Sequence, residues 1–129
     1  MVTAGAIANM QKQVSKRTEL RMRDPAKDLA ARILNRTIRV GIIGMGYVGL
    51  PLMLASVAKN IRVLGFDIDK EKVSALNKGK SPLKHFSDAK VAAACRDRLF
   101  EATIDMNRLS EVDIIIICVP HASRSAPGT

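Results

Sequence analysis

The fold of this chain depends on one stretch, Ile38-Arg39-Val40-Gly41-Ile42-Ile43-Gly44-Met45-Gly46-Tyr47-Val48-Gly49-Leu50-Pro51. Its first half is an apolar run with β-branched residues that ends abruptly at Gly44, which predicts a buried parallel strand. Three glycines, Gly44, Gly46 and Gly49, then follow at the G-x-G-x-x-G spacing. The stretch therefore predicts a strand, a tight glycine turn and the start of a helix.

Each glycine has a separate physical task in such a turn. Gly44 permits the tight turn out of the strand, and Gly49 lets the new helix lie close to the sheet. Gly46 has no Cβ, so a pyrophosphate can lie against its backbone. The first N–H groups of the helix carry partial positive charge, which favours phosphate. The stretch therefore predicts a phosphate-binding site.

The segments that follow decide how specific this prediction is, because glycines at this spacing also occur in ordinary turns. A helical pattern covers about residues 47–59, and a second apolar strand, 61–66, ends at Asp67. An acidic residue about 20 positions past the glycines can accept hydrogen bonds from the adenosine ribose hydroxyls. The alternative is a packing turn with Asp67 as a solvated strand end. Strand, turn, helix and acid in register favour the dinucleotide site.

The rest of the chain alternates helical and strand patterns. Asp69 and Ser87 are predicted helix caps, Gly79 is a helix end, and residues 100–104 and 113–119 are further strands. Right-handed crossovers predict an α/β fold, a Rossmann-like parallel sheet of about four strands in the order 3-2-1-4 with flanking helices. A complete dinucleotide fold has a second half, so we expect a fragment truncated on its C-terminal side.

Charge is concentrated ahead of the glycine motif. The net charge is +9, and residues 1–40 hold nine Lys and Arg against three acids, which gives +6 of that total. We predict a basic leader, 1–36, and a nucleotide-binding domain, 37–129. Within the leader, residues 1–23 are expected to be disordered or loosely helical, and Asp24-Pro25 starts a short helix that ends near Asn35. Aromatic residues are only 3% of the chain, which argues against a nucleic-acid partner that stacks its bases.

Composition also bears on the compartment. Cys95 and Cys118 have no metal-ligand or disulfide spacing, so we expect reduced, buried thiols in a cytoplasmic protein and no metal site. No secretory signal is recognised. The strand at 113–119 is far shorter than the roughly 20 residues that span a bilayer, so no membrane association is predicted.

Four segments together carry a family resemblance: Gly44-Met45-Gly46-Tyr47-Val48-Gly49-Leu50-Pro51-Leu52, Gly65-Phe66-Asp67-Ile68-Asp69, Leu76-Asn77-Lys78-Gly79-Lys80-Ser81-Pro82 and Ile117-Cys118-Val119-Pro120. In this order they closely resemble the UDP-glucose/GDP-mannose dehydrogenase family of nucleotide-sugar dehydrogenases. The resemblance covers about residues 36–120. The Leu-Pro pair after the third glycine is most similar to the UDP-N-acetylhexosamine 6-dehydrogenase branch.

The resemblance implies an activity, a cofactor and partners. Members of this family oxidise the C6 alcohol of a nucleotide sugar twice, with two NAD⁺, to a uronate used in polysaccharide biosynthesis. It implies a nucleotide-sugar substrate and a homo-oligomer for the full-length enzyme. It also implies that NAD is bound by Gly44, Met45, Gly46, Tyr47, Val48, Gly49, Asp67, Val119 and Pro120.

Two lysines bear on the choice between NAD and NADP. Asp67 fits NAD better, because a 2′-phosphate would meet its carboxylate. Lys70 and Lys72 could reach such a phosphate, but we predict that both lie on a solvated helix face.

The sequence departs from the family at its catalytic residues. The family's nucleophilic cysteine lies far downstream, and Cys95 and Cys118 do not correspond to it, so we expect both to serve core packing. The family usually continues Thr-Pro after Pro120, whereas residues 121–124 here are His-Ala-Ser-Arg. His85 and His121 have no nucleophile to pair with. We assign no catalytic residue and expect this fragment alone to be inactive.

Three other functions remain open at this stage. The chain could be a module that binds NAD and docks to a partner without catalysis. It could also be another Rossmann dehydrogenase of the 3-hydroxyacid type, although Tyr47-Val48-Gly49-Leu50-Pro51 is a poor fit to that group. A basic nucleic-acid-binding protein is the least favoured.

Overall fold

The structure is a computed structural model that describes residues 3–22 and 24–120, with the backbone alone for 19–22. Residues 1–35 and residues 36–129 form two separate compact units.

The first unit contains two helices. Helix α1 spans Ala4–Met22, a continuous helix of 19 residues where the sequence predicted disorder or loose helix. Helix α2 spans Pro25–Leu34. The Asp24 carboxylate accepts hydrogen bonds from the N–H groups of Ala26 and Lys27, and Asn35 is the C-cap. The predicted start and stop of this short helix are therefore both confirmed.

The second unit is a parallel sheet with helices packed against it. Its elements in chain order are β1 (Arg39–Ile43), α3 (Gly49–Ala58), β2 (Arg62–Phe66), α4 (Lys70–Asn77), α5 (Asp88–Arg96), β3 (Phe100–Thr103), a 3₁₀ helix (Met106–Glu111) and β4 (Ile114–Ile117). The strand order is β3-β2-β1-β4, and all three pairings are parallel. The predicted α/β class and the 3-2-1-4 order are confirmed.

The core is aliphatic, as the scarcity of aromatic residues requires. Ile42 and Leu64 from the two central strands are fully buried, together with Leu50 and Met53 of α3. Phe66, at the end of β2, is the largest fully buried side chain. Because β1 and β2 are buried along most of their length, their apolar runs are continuous and do not alternate.

Helix boundaries differ from the predictions in small ways. Asp69 caps α4 as expected, with its carboxylate accepting from the N–H groups of Glu71 and Lys72. Ser87 lies at the N-cap position of α5, but its side chain makes no cap hydrogen bond. Gly79 ends the α4 region with a φ of +77°, a conformation that favours glycine. Helix α3 begins at Gly49, two residues after the predicted start.

The two edges of the sheet are built differently. Along β3, the Asn77 side-chain amide donates to the Ala102 carbonyl oxygen at 2.9 Å, and the Ala102 N–H donates to Asn77 Oδ1 at 2.8 Å. Strand β4 at the other edge alternates half-buried and exposed side chains, with Ile115 and Ile117 exposed. In the part of the chain that the structure describes, no helix is long and apolar enough to cross a membrane.

Candidate cofactor-binding site

The turn after β1 requires glycine at its first position. Gly44 has a φ of +94°, a backbone conformation that L-residues with a side chain rarely adopt. Its N–H donates to the Phe66 carbonyl oxygen at 2.7 Å, which ties the turn to the end of β2. A Cβ at Gly44 would lie only 2.6 Å from the carbonyl oxygen of Cys118. Any other residue would therefore separate the ends of β1 and β4.

The other two glycines of the motif have opposite surroundings. A Cβ added at Gly49 would overlap the carbonyl oxygen of Gly44, and the side chain of Ile42 is also close. Gly49 does approach its surroundings closely, as predicted, but the nearest atom belongs to the Gly44 turn and not to the sheet. A Cβ added at Gly46 would meet no protein atom within 4 Å. The space beside Gly46 is therefore open to a bound molecule.

The start of α3 suits an anion. The first helical hydrogen bond of this region runs from the Leu50 N–H to the Gly46 carbonyl oxygen, at 3.0 Å. The N-cap residue, Val48, makes no side-chain cap hydrogen bond, and the first turn of α3 contains no acidic residue. Because no side chain competes for this end of the helix, its N–H groups and its partial positive charge are available to a phosphate.

Asp67 lies directly after β2 and holds the neighbouring turns together. Its Oδ2 accepts a hydrogen bond from the Met45 N–H, and its Oδ1 accepts one from the Asp69 N–H, both at 3.0 Å. The Lys72 ammonium lies 3.3 Å from Oδ2. The side chain of Asp67 is about nine-tenths buried, so this carboxylate is fixed in position by three donors.

These contacts keep Asp67 ionised. Burial opposes ionisation, but the N–H groups of Asp69 and Met45 and the nearby charge of Lys72 outweigh it and hold the pKa of the carboxyl below its ordinary value. A carboxylate offers about four acceptor positions, of which the donors above use three. One position on Oδ1 is left for a hydroxyl group, and movement of Lys72 would release another.

The two lysines of α4 lie in different surroundings. Lys70 is exposed, as predicted. The prediction of a solvated helix face is wrong for Lys72, whose side chain is about one-quarter exposed and paired with Asp67. The reason is the Asp69 cap, which sets the first turn of α4 so that Lys72 returns towards the end of β2.

These groups border a cleft of about 870 Å³ at the carboxyl ends of the strands. Seven of the nine residues predicted for the cofactor line it: Gly44, Gly46, Tyr47, Val48, Asp67, Val119 and Pro120. Met45 and Gly49 do not. The Met45 side chain is fully buried against Gly65, so Met45 reaches the site only through the N–H that Asp67 accepts.

A family model for the NAD-binding domain of the UDP-glucose/GDP-mannose dehydrogenase family matches residues 38–126, well over half of the chain. The chain belongs to this family. The matched region includes every element of the cleft, from the start of β1 to the residues after β4. The cofactor of the domain is NAD, and the resemblance inferred from the four sequence segments is confirmed.

Relatives and solved structures of the family agree with this assignment. The chain is 31% identical to a UDP-N-acetyl-D-glucosamine 6-dehydrogenase of Salmonella typhi and 34% identical to a UDP-N-acetyl-D-mannosamine dehydrogenase of Campylobacter jejuni. These matches cover 64% and 67% of this chain but only 19% and 21% of the relatives. The chain therefore spans about a fifth of their length.

Two solved structures share its fold. The GDP-mannose dehydrogenase of Pseudomonas aeruginosa matches with a TM-score of 0.62 and 28% identity, over 64% of this chain and 20% of that one. An NDP-N-acetyl-D-galactosaminuronic acid dehydrogenase of Methanosarcina mazei matches with a TM-score of 0.58 and 30% identity, over 64% and 19%.

Several residues of the family's cleft were missed by the sequence analysis. Apart from Lys72, they are mainly apolar: Ile68, Leu83, Met106 and Ile117. Ile68 had a signal in the sequence, because this apolar residue stands between two acidic residues at the end of a strand. In the structure its side chain is 88% exposed. The others come from a loop, a 3₁₀ helix and an edge strand, whose positions depend on tertiary packing.

The cysteines and histidines form no catalytic group in the described residues. Both thiols are half-buried, not fully buried as predicted. Cys118 lines the cofactor cleft, so its predicted role in core packing alone is wrong. Cys95 donates to the Leu76 carbonyl oxygen at 3.3 Å, and burial raises the pKa of its thiol, which keeps it protonated and unreactive. His85 is exposed, and His121 lies outside the described residues.

Metal binding is not supported by any cluster in this region. Residues 3–22 and 24–120 contain no group of three or more His, Cys, Asp or Glu side chains that could hold a metal ion.

Proposed function

We propose that this chain is the NAD-binding part of a nucleotide-sugar 6-dehydrogenase, which oxidises the C6 alcohol of a UDP-sugar to a uronate with two NAD⁺. Residues 37–129 would form the NAD-binding domain and residues 1–36 a basic leader. The observation that carries the proposal is one cleft with an open space beside Gly46 and a fixed carboxylate at Asp67. The names of the relatives, which include UDP-N-acetylhexosamine dehydrogenases, support the substrate class.

The residues of the cleft fit the parts of NAD in chain order. Gly46 and the N–H groups at the start of α3 would hold the pyrophosphate. The open acceptor position on Asp67 Oδ1 would receive a hydrogen bond from a hydroxyl of the adenosine ribose. The exposed side chain of Ile68 offers an apolar surface to the adenine ring.

The opposite wall of the cleft is formed by the end of β4. Ile117, Cys118, Val119 and Pro120 provide a mainly apolar surface there, which would limit water around the nicotinamide half of a bound cofactor. When bound, NAD⁺ would supply the acceptor for the hydride removed from the substrate carbon. The residues of this chain bind and orient the cofactor, and the nucleophile that holds the aldehyde between the two oxidations is supplied from outside residues 1–129.

The proposal includes partners and compartment. The full-length enzyme takes a nucleotide sugar as substrate and works in the cytoplasm as a homo-oligomer. No nucleic-acid partner is included, since no exposed set of aromatic side chains for base stacking is present among the described residues.

Replacement of Gly46 by Val tests the proposal directly. The Cβ of the new side chain would meet no protein atom within 4 Å, so the fold should be retained, whereas the side chain would occupy the proposed pyrophosphate position and NAD binding should be lost. Calorimetric titration with NAD⁺ measures the affinity, and circular dichroism confirms the fold. Gly5→Val in α1 is the matched control, because a Cβ there also meets nothing within 4 Å, and it should leave NAD affinity unchanged. A folded Gly46→Val protein with unaltered NAD affinity would contradict the proposal.

A further inference from the structure

A second cleft lies at the other end of the sheet, where the strands begin. Its volume is about 420 Å³, which is within the size range of small-molecule sites. Arginine provides its cationic groups, at Arg39, Arg62 and Arg98, and Glu101 provides its carboxylate. Val63 and Phe100 are its buried apolar residues. We call it the amino-end cleft.

The acidic group of the amino-end cleft is already neutralised. Glu101 accepts hydrogen bonds from Arg39 at 3.3 Å and from Arg108 at 2.6 Å. Glu111 accepts from the same two arginines, at 3.0 Å from Arg39 and 2.6 Å from Arg108. Two arginines and two glutamates therefore form a closed network with no net charge, and Glu101 offers little repulsion to an incoming anion.

The other two arginines of the cleft are surplus positive charges. Arg62 donates one hydrogen bond, to the Thr37 carbonyl oxygen at 3.3 Å, and has no acidic partner among the described residues. The Arg98 guanidinium has neither an ion pair nor a hydrogen bond within residues 3–22 and 24–120. Both side chains are exposed at the mouth of the same cleft, so their donors are available to a ligand.

The backbone position of Arg98 is a separate observation. Three non-glycine residues have positive φ, and each lies shortly before a strand of the sheet: Arg36, Asn60 and Arg98. Asparagine adopts this left-handed conformation more easily than most residues, whereas arginine has no such advantage. The turn therefore does not require arginine at position 98. Unlike Arg36, which has the same backbone conformation, Arg98 lines the cleft and adds a cation to it.

We propose that the amino-end cleft binds a small, multiply charged oxyanion, separately from NAD. The guanidinium groups of Arg62 and Arg98 supply paired donors in the planar arrangement that matches phosphate and carboxylate oxygens. A concave site fits a small molecule better than a nucleic-acid backbone, which binds along an extended basic surface.

The experiment uses pyrophosphate and citrate as probes, each titrated into isotope-labelled protein saturated with NAD⁺. Backbone amide shifts at Arg62, Leu99 and Phe100 should change in a saturable way, while those of residues 44–48 stay constant. A response to pyrophosphate alone assigns phosphate esters as the ligand class, and a response to citrate alone assigns polycarboxylates. Saturation with neither probe, or shifts confined to residues 44–48, would overturn the proposal.

A double variant, Arg62→Gln with Arg98→Asn, identifies the cations responsible. Asparagine is suited to the left-handed conformation at position 98, so the fold should be retained. Affinity for the responding probe should fall by about tenfold or more, since charge-assisted hydrogen bonds are lost. The control, Lys70→Gln with Lys90→Gln, removes the same charge near the N-terminal ends of α4 and α5 and should change affinity less than about twofold.

Two outcomes would count against the arginine site. Equal weakening in both double variants would mean that only net charge matters. Tight binding of a short oligonucleotide, with none of either probe, would assign this edge to nucleic acid instead.

Discussion

At the scale of single residues, we expect Asp67 and Lys72 to determine how the proposed site recognises the adenosine end of the cofactor. The carboxylate repels a 2′-phosphate, whereas the ammonium 3.3 Å away attracts one. We expect the repulsion from Asp67 to be the larger effect, because two backbone N–H groups fix its carboxylate, while Lys72 is held by a single ion pair. The domain should therefore prefer NAD⁺ to NADP⁺, but by less than an unpaired aspartate would give.

Two substitutions separate these contributions. Asp67→Ala should reduce the preference for NAD⁺ by relieving repulsion with the 2′-phosphate, and Lys72→Met should increase it by removing the compensating charge. The measurement is the ratio of dissociation constants for NAD⁺ and NADP⁺ in each protein. Lys70→Met, at an exposed neighbour on the same helix, is the control. Equal affinity of the unmutated chain for both cofactors would contradict the predicted preference and show that Lys72 fully offsets the repulsion from Asp67.

The lowered pKa of Asp67 predicts a dependence of stability on pH. Because the folded state binds the Asp67 proton more weakly than the unfolded state, the contribution of this carboxylate is complete above its unfolded pKa of about 3.9. It is lost as the pH falls through the lower folded value. Asp67→Asn should therefore be less stable than the unmutated chain at pH 7, with a difference that narrows below about pH 4.

Urea unfolding at a series of pH values measures this difference. Glu101→Gln is a useful comparison, because hydrogen bonds from Arg108 outweigh burial and also lower the pKa of Glu101. The difference in stability between Glu101→Gln and the unmutated chain should also narrow as the pH falls, without any effect on NAD binding. A stability difference for Asp67→Asn that stayed constant or widened on acidification would contradict the assignment of Asp67 as an ionised, stabilised carboxylate.

At this scale the sequence predicted the features whose position depends on the backbone alone. The acid at position 67 and the turn at Gly44 follow from spacing along the chain, because a strand of known length places its end predictably. The directions of side chains were harder to predict from the sequence. Met45 turns into the core and Lys72 turns towards Asp67, and both depend on how a loop or cap rotates the next element, which no local pattern records.

At the scale of elements, the contact between α4 and β3 explains how one sheet edge is completed. The Asn77 side chain pairs with both backbone groups of Ala102, as a neighbouring strand would. Asn77→Ala should destabilise the domain by about 1–3 kcal/mol, because two hydrogen bonds are lost and the Ala102 groups become unpaired. Chemical denaturation gives the free energy of unfolding.

One further variant and one control test whether the predicted loss of stability comes from the hydrogen bonds of Asn77. Asn77→Asp keeps the acceptor for the Ala102 N–H but loses the donor to its carbonyl, so it should also destabilise the domain. Lys78→Ala, at the exposed next residue, should change stability by less than about 0.5 kcal/mol. An Asn77→Ala protein as stable as the Lys78→Ala control would show that this pairing contributes nothing.

The type and order of the elements were largely predictable from the sequence. The length of the edge strand and the exposure of its side chains were not. The alternation of apolar strands and capped helices was sufficient for the order β3-β2-β1-β4, because right-handed crossovers leave few arrangements. The length of β4 was overestimated: the apolar run at 113–119 gives a strand only at Ile114–Ile117. The run is apolar on both faces, so its composition could not reveal that Ile115 and Ile117 would be exposed.

At the scale of the whole molecule, the two ends of the sheet carry different chemistry. The carboxyl end presents glycine N–H groups, Asp67 and an apolar wall, whereas the amino end presents a network of arginines. Much of the net charge of +9 lies ahead of the glycine motif, so the domain itself is only moderately basic. Its remaining positive charges are distributed along the chain, and the amino-end cleft is one place where three arginines lie together.

The length of the chain and the surroundings of its two thiols bear on whether it catalyses the proposed oxidation by itself. It spans about a fifth of the length of its relatives. Of its two thiols, Cys95 is kept protonated by burial and hydrogen-bonded to a backbone carbonyl, and Cys118 lies in the wall of the cofactor cleft. Neither has a histidine partner among the described residues, so neither is an activated nucleophile.

We therefore expect the purified chain to bind NAD⁺ without turning over a nucleotide sugar. The proposed double oxidation needs a nucleophile that holds the aldehyde between two hydride transfers, and the described residues place no cysteine beside a histidine that could activate it. The assay is NADH formation at about 340 nm with UDP-N-acetylglucosamine, UDP-N-acetylmannosamine or UDP-glucose, with the Gly46→Val protein as the blank. Sustained turnover that survives Cys95→Ser and Cys118→Ser together, and disappears in Gly46→Val, would show that the chemistry lies within these 129 residues. Turnover that persisted in Gly46→Val would instead indicate a contaminating enzyme.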